Sequence, residues 1–248
     1  MIRAPFRKAL FFALANGFLA TPGKALAMHI SEGILPLPWA AFWFLLTVPF
    51  LFWGLRELKR RSADAPYFKP LVGLVGAAVF IISCMPIPIP TAGTSSHPCG
   101  TGLAAILIGP GLTVVVASVA LTLQALFLAH GGLTTLGADI FSMGVAGAFV
   151  GYGVFKLVRW IGVPWYISTF LAGMFSDWAT YAITSLQLAS ALHSPGTFSP
   201  FFGAILLAFI PTQLPLGVME GFLCMGAYRF ISSRRPELLR LLVKEGIG

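Results

Sequence analysis

Charge is what this chain has least of. Of its 248 residues only 10% are charged and eight are acidic. From residue 86 to residue 138 there is no Lys or Arg at all. A soluble domain carries about a quarter of its residues as charges, so this scarcity excludes one. Cysteine is nearly absent too: the three present show neither zinc-site spacing nor a disulfide framework. Cys84 and Cys224 sit in apolar runs and read as small hydrophobes, whereas Cys99 follows His97-Pro98 and stands apart. No GxxxxGK[ST] segment occurs, which excludes a P-loop ATP site in this chain. Fixed-period repeats, low-complexity tracts and any soluble domain are lacking as well.

What is present is apolar. Hydrophobic residues make up 57% of the chain and mean hydropathy is +0.88, which defines an integral membrane protein. Arg3, Arg7 and Lys8 precede the apolar run 9–20, and Ala25-Leu26-Ala27 then offers the small residues of a signal-peptidase site. Residues 1–27 are therefore expected to form a cleaved secretory signal peptide, 28–231 the membrane-embedded body, and 232–248 a basic cytoplasmic tail. Apolar stretches at 37–55, 71–90, 102–129, 139–158, 164–192 and 201–230 leave room for about six or seven spans of roughly 20 residues.

Basic residues set the expected orientation, because they favour the cytoplasmic side. With Met28 outside, the first helix ends inside at Arg56, Lys59, Arg60 and Arg61, and Lys69 follows. The second exits at the proline-rich stretch 86–90. Lys156, Arg159, Arg229, Arg234, Arg235, Arg240 and Lys244 then all fall inside as well. Residues 99 and 139 must both start outside, so the block between them crosses an even number of times. Gly109-Pro110-Gly111 supplies the break. Residues 99–109 rise only about 16 Å as a helix, so that element is short or partly buried in the bundle. The expected fold is an all-α polytopic membrane protein of about seven transmembrane elements. The basic balance serves membrane anchoring rather than nucleic-acid binding.

Under this topology all four histidines, His29, His97, His130 and His193, lie at or near the outer face. Cleavage after Ala27 would place a new α-amine one residue before His29. The Met28 amine, the deprotonated His29 amide and the His29 Nδ1 would form fused chelate rings, leaving a fourth in-plane position for His97. An all-nitrogen, near-square-planar set suits Ni(II), Cu(II) or low-spin Co(II), whereas Mg(II) and Ca(II) prefer oxygen. Amine and amide must lose protons, so binding weakens at low pH. Glu32 either receives a hydrogen bond from an imidazole or caps the first helix. Ser96 and His130 are supporting or entrance positions, and His193 lies in a solvated turn. Asp177 and Tyr181 share a helix face; with Glu220 and Gln124 they form either a structural polar network or an ion path. The run Gly144, Gly147, Ala148 and Gly151 permits close helix approach for internal packing or for docking.

The segments MHISEGILP, TSSHPCGTGLAAILIGP, LFLAHGGLTTLGADIFSMG and SDWATYAITSLQL resemble the CbiM family. These are cobalt-specific substrate-binding (S) components of energy-coupling factor transporters, closely related to the nickel-specific NikM proteins. The resemblance spans essentially all of residues 28–230. It implies a seven-helix fold with the N-terminus tucked into the bundle, and metal ligands Met28, His29 and His97. It also implies Co2+ as transported substrate, with Ni2+ the alternative. The implied partners are a coupling subunit, two ATP-binding subunits and a small accessory membrane subunit. The expected role is cobalt import across the cell membrane for cobalamin biosynthesis, as a transport subunit and not an enzyme. One departure is Asp139, where the family usually has Asn. Two rivals remain: a membrane-embedded hydrolase using Ser95, Ser96 or His97, for which no orienting carboxylate stands out, and a structural or assembly subunit without a ligand.

Overall fold

A computed structural model describes residues 29–85, 87–89, 94–128 and 130–243. The signal segment and Met28 lie outside the described residues. Helices carry the fold: α1 (Leu37–Asp64), α2 (Phe68–Ser83), α3 (Thr101–Ile108), α4 (Pro110–Phe127), α5 (Leu136–Trp160), α6 (Trp165–Leu192), α7 (Phe198–Arg234) and α8 (Pro236–Val243). Four of them, α1, α4, α5 and α7, are long and apolar enough to cross a membrane. The α6 helix is as long as α1, with 28 residues, but buries a row of hydroxyl, amide and carboxyl side chains. Leu45, Phe52, Leu74, Phe127, Leu207 and Phe230 are exposed, as they are on a bundle whose solvent is lipid. The chain is a multi-pass membrane protein.

The second helix stops at Ser83, short of the expected residue 90. Prolines in the segment that follows lack the amide hydrogens a helix would use. The backbone instead pairs β1 (Ile87–Ile89) antiparallel with β2 (Thr94–Ser96), Ile87 opposite Ser96. At the other end, the boundary drawn at residue 231 falls inside α7, which continues to Arg234 before α8 begins at Pro236.

The break at Gly109-Pro110 is where the charge topology demanded it. Gly109 has φ +89°, a conformation that favours glycine, and proline opens α4 at its first position, where its missing amide hydrogen costs nothing. The α3 helix before it has eight residues, every one buried. Its C-terminal carbonyl at Ile108 accepts a hydrogen bond from Arg61 Nη1 at 3.0 Å. Arg61 also reaches Glu57 at 3.4 Å and covers the Phe68 ring at 4.2 Å. A charged donor thus satisfies a helix end that would otherwise be orphaned in an apolar interior.

Glycines let α3 enter the bundle. A Cβ on Gly102 would stand 3.0 Å from Gly173 Cα and Ser176 Cβ; one on Gly151 would meet Ser176 Cβ at 3.0 Å and Gly102 Cα at 3.3 Å. Gly144 approaches Ala117 of α4 in the same way. The small-residue run of α5 therefore serves internal packing. Short connections make successive helices antiparallel, so His29, His97 and His130 collect at the bundle end opposite Arg61, Arg159 and Arg234. Within α5, Ile140–Gly147 is π-helical, a widening often found beside functional sites.

Gly102→Val should destabilise the bundle by about 1–3 kcal/mol through overpacking. Thermal unfolding of detergent-purified protein should show the drop. Gly73→Ala, at a helix-interior position with no atom within 4 Å of the added carbon, should not lower the midpoint and should raise it slightly through helix propensity.

Candidate metal centre

His29, His97 and His130 converge although 68 and 33 residues separate them in sequence. Their ring centroids lie 4.8 Å (His29–His97), 4.8 Å (His29–His130) and 4.9 Å (His97–His130) apart. One ring nitrogen from each falls within 4.8 Å of the other two. His29 and His97 are buried. Ser83, Cys84, Gln124 and Leu128 complete the pocket around His97 and His130.

Hydrogen bonds decide which nitrogen of each ring carries a lone pair. Ser83 Oγ donates to the Phe80 carbonyl at 3.1 Å, and so accepts from Gln124 Nε2 at 2.6 Å. That fixes the amide's orientation. The Gln124 oxygen then accepts from His29 Nε2 at 3.1 Å. The proton of His29 accordingly resides on Nε2 and its lone pair on Nδ1, the nitrogen that can close a chelate ring with the residue's own backbone. His97 is set the opposite way. Its Nδ1 donates to the Pro98 carbonyl at 3.0 Å, leaving Nε2 bare, buried and without a partner. Nε2 of His130 is likewise buried without a partner. Unpaired buried polar atoms are rare and call for an occupant.

Burial keeps these rings neutral. It pushes the His97 imidazole down to about 3. His29 is lowered by burial first and then by the neighbouring His97 and His130; burial lowers His130 also. Neutral imidazole is the form that binds a metal.

The segment carrying His29 is clamped by the HGGLTTLGAD stretch. The Ile30 amide donates to Asp139 Oδ1 at 2.9 Å, Thr135 Oγ1 donates to the Ile30 carbonyl, and Thr134 donates to Glu32 through its amide at 3.2 Å and through its hydroxyl. Gly131, at φ +81°, would put a Cβ 3.2 Å from that of His29, and a Cβ on Gly132 would lie 2.6 Å from Glu32 Oε2. The paired glycines are therefore a requirement of close approach, not only a turn signal.

The sequence expectations fare unevenly here. Glu32 neither receives a bond from an imidazole nor caps α1, whose N-cap is Pro36. It is tied to Thr134, whose bonds hold its carboxylate below the usual range. His130, taken as a supporting or entrance position, stands in the cluster itself. Gln124 and Asp139 position the site; polarity in an apolar context marked the first in the sequence, and the departure from the Asn expected by resemblance marked the second. Met28 lies outside the described residues, as does the side chain of Ser96. His193 is not part of the cluster and bonds back to the Ala189 carbonyl at 2.8 Å through Nδ1. The partner of His97 Nδ1 is a carbonyl and not a carboxylate, which leaves the hydrolase reading without its orienting acid.

Fold and site together define a multi-pass membrane protein with a buried nest of imidazole donors. Residues 29–238 match the family model described as "CbiM: Cobalt uptake substrate-specific transmembrane region", and the chain belongs to that family. It is 58% identical over 212 residues to the cobalt transport protein CbiM of Sorangium cellulosum, covering 86% of this chain and 94% of that one. With the CbiM of Geobacter sulfurreducens identity is 56% over 223 residues, covering 90% of this chain and 64% of that longer protein. With that of Carboxydothermus hydrogenoformans it is 46% over 248 residues, covering 99% and 98%. Among solved structures, a truncated transition metal transporter superposes with TM-score 0.73 at 25% identity, covering 83% of this chain and 98% of that one.

Asp139→Leu removes the acceptor of the Ile30 amide. Hydrogen exchange at that amide should quicken by about 2–10-fold, as expected when a hydrogen bond worth about 0.5–1.5 kcal/mol is lost. Asp139→Asn, which keeps a carbonyl oxygen there, should exchange more slowly than the leucine variant.

Proposed function

We propose that this chain is the metal-capturing S component of an energy-coupling factor transporter that imports Co2+. The observation that carries the reading is the opposite tautomers of His29 and His97, which leave Nδ1 of one and Nε2 of the other free. Signal cleavage after Ala27 would supply the Met28 α-amine. That amine, the deprotonated His29 amide and His29 Nδ1 then bind the ion in fused rings, and His97 Nε2 closes the nitrogen set. A ring nitrogen of His130 lies within 4.8 Å of those of His29 and His97, and His130 serves as an additional donor or as the guard of the entry path. Nitrogen donors of this kind favour a first-row transition ion over Mg2+ or Ca2+. Cobalt is preferred to nickel because the relatives cited above are named for cobalt transport.

The ion enters from outside, at the histidine end, and leaves toward the basic, cytoplasmic end of the bundle. Energy comes from two ATP-binding partner subunits acting through a membrane coupling subunit, with a small accessory membrane subunit, and the imported cobalt feeds cobalamin synthesis. The positive-inside distribution of Lys and Arg supports this orientation in the cell membrane.

Calorimetry on purified mature protein tests the site. Blocking cleavage at Ala27, or extending the mature N-terminus, should abolish tight Co2+ binding by removing the amine. His97→Ala should weaken it at least about 100-fold, as expected when a coordinating group itself is lost. Tight binding by the uncleaved form refutes the chelate, and a preference for Ni2+ in competition refutes cobalt specificity. Uptake by cells lacking the partner ATPases, undiminished, would refute the ATP-driven mechanism.

A further inference from the structure

A second constellation lies immediately beyond the histidines. Cys99 is two residues from His97, within about 7 Å of chain, and the loop carrying both leads into α3. The Cys99 sulfur and one carboxylate oxygen each of Asp177 and Glu220 lie within 4.8 Å of one another. All three residues are buried, at 0%, 0% and 1% exposure. Glu220 is aimed by two backbone donors, the amides of Cys99 at 2.6 Å and Gly100 at 2.9 Å. Cys99 Sγ sits 3.8 Å from Asp177 Oδ1. The other oxygen, Asp177 Oδ2, is buried and has no hydrogen-bond donor. No Lys or Arg pairs with either carboxylate among the described residues.

Two carboxyl groups facing each other in an apolar interior need either a shared proton or a cation between them. Asp177 is near the middle of α6 and Glu220 is well inside α7, so the pair sits deeper in the bundle than the three imidazoles. One sulfur and two carboxylate oxygens form a donor set for a divalent first-row transition ion, to which a hydroxyl or water adds a fourth ligand.

We propose that Cys99, Asp177 and Glu220 form a second metal station, which receives the transition ion from the histidine cluster on its way inward. The inference rests on the metal-uptake reading for its direction, but the station's existence is testable alone. With fewer strong donors than the chelate, it holds the ion more weakly. A weaker site below a tighter one lets an ion move on when the upper site is disturbed.

Co2+ alone is the probe, titrated into purified full-length mature protein in detergent and followed by absorption. After the nitrogen site fills, further Co2+ should raise a thiolate-to-cobalt charge-transfer band in the near ultraviolet. Cys99→Ser should abolish that band. Asp177→Asn and Glu220→Gln should each raise the Co2+ concentration for half-maximal absorbance at least about 10-fold, with unfolding temperatures recorded to confirm folded protein. In His97→Ala the band should persist while tight binding is lost. A folded wild-type protein without the band at saturating Co2+ overturns the proposal and assigns the carboxyl pair a proton instead. A band that survives Cys99→Ser overturns it too. If the wild type shows the band but no tight nitrogen-site binding, the station stands and the uptake reading fails.

Discussion

A neutral imidazole offers one lone pair, and the centre of this molecule depends on which nitrogen presents it. For His29 the choice is made three groups away. The Phe80 carbonyl can only accept, so Ser83 donates to it; Gln124 then donates to Ser83, and its oxygen must accept from His29. Each link has one allowed direction. The chain joins the end of α2 to α4 and to the N-terminal segment, so helix packing and ring chemistry are one constraint. His97 is set by its own next carbonyl, which makes its tautomer a property of the local chain. Opposite settings of two touching rings turn a pair of buried histidines into a donor pair.

The same economy governs how the backbone reaches the site. His29 belongs to no helix, yet it is 2% exposed, and a non-helical segment in a lipid-facing protein must have its amides and carbonyls satisfied by neighbours. The segment 130–139, running from the loop into the first turn of α5, does this through Thr135 and Asp139, Thr134 holds the Glu32 carboxylate, and Gly131 and Gly132 let the segment come close enough. At Asp139 the resemblance drawn from the sequence leads Asn to be expected. Either side chain has an oxygen for the Ile30 amide, which is why the departure leaves the clamp intact.

Polar residues inside the bundle divide by what they satisfy. Gln124 and Asp139 hold His29 and its backbone, Arg61 closes the C-terminus of the eight-residue α3, and the α6 hydroxyls bond back along their own helix. Asp177 and Glu220 are different, because two carboxyl groups face each other in the bundle and Asp177 Oδ2 has no donor that would account for it. In a medium where unpaired charge is so costly, that difference separates scaffolding from a place where something binds.

Much of this was legible from the sequence. The sparse charges and long apolar runs determined a multi-pass membrane protein, since lipid tolerates little else. The crossing parity from Lys and Arg required a break in residues 99–129, and Gly109-Pro110 is that break because both residues act through their own dihedrals. His29 and His97 stood out by chemical type and context. What the sequence left undecided were matters of long-range contact: whether Asp177 and Glu220 are a network or a path, whether Glu32 faces an imidazole or a helix end, and whether His130 is a bystander. No local pattern encodes that Gln124 orients His29 from 95 positions away or that Glu220 receives the amides of Cys99 and Gly100 from 121 and 120 away. Composition and periodicity act through solvent and through neighbours in sequence, so they determine which segments enter the membrane. Only the packed helices bring distant donors and acceptors within about 3 Å, and that contact decided the His29 tautomer, the clamp and the second cluster.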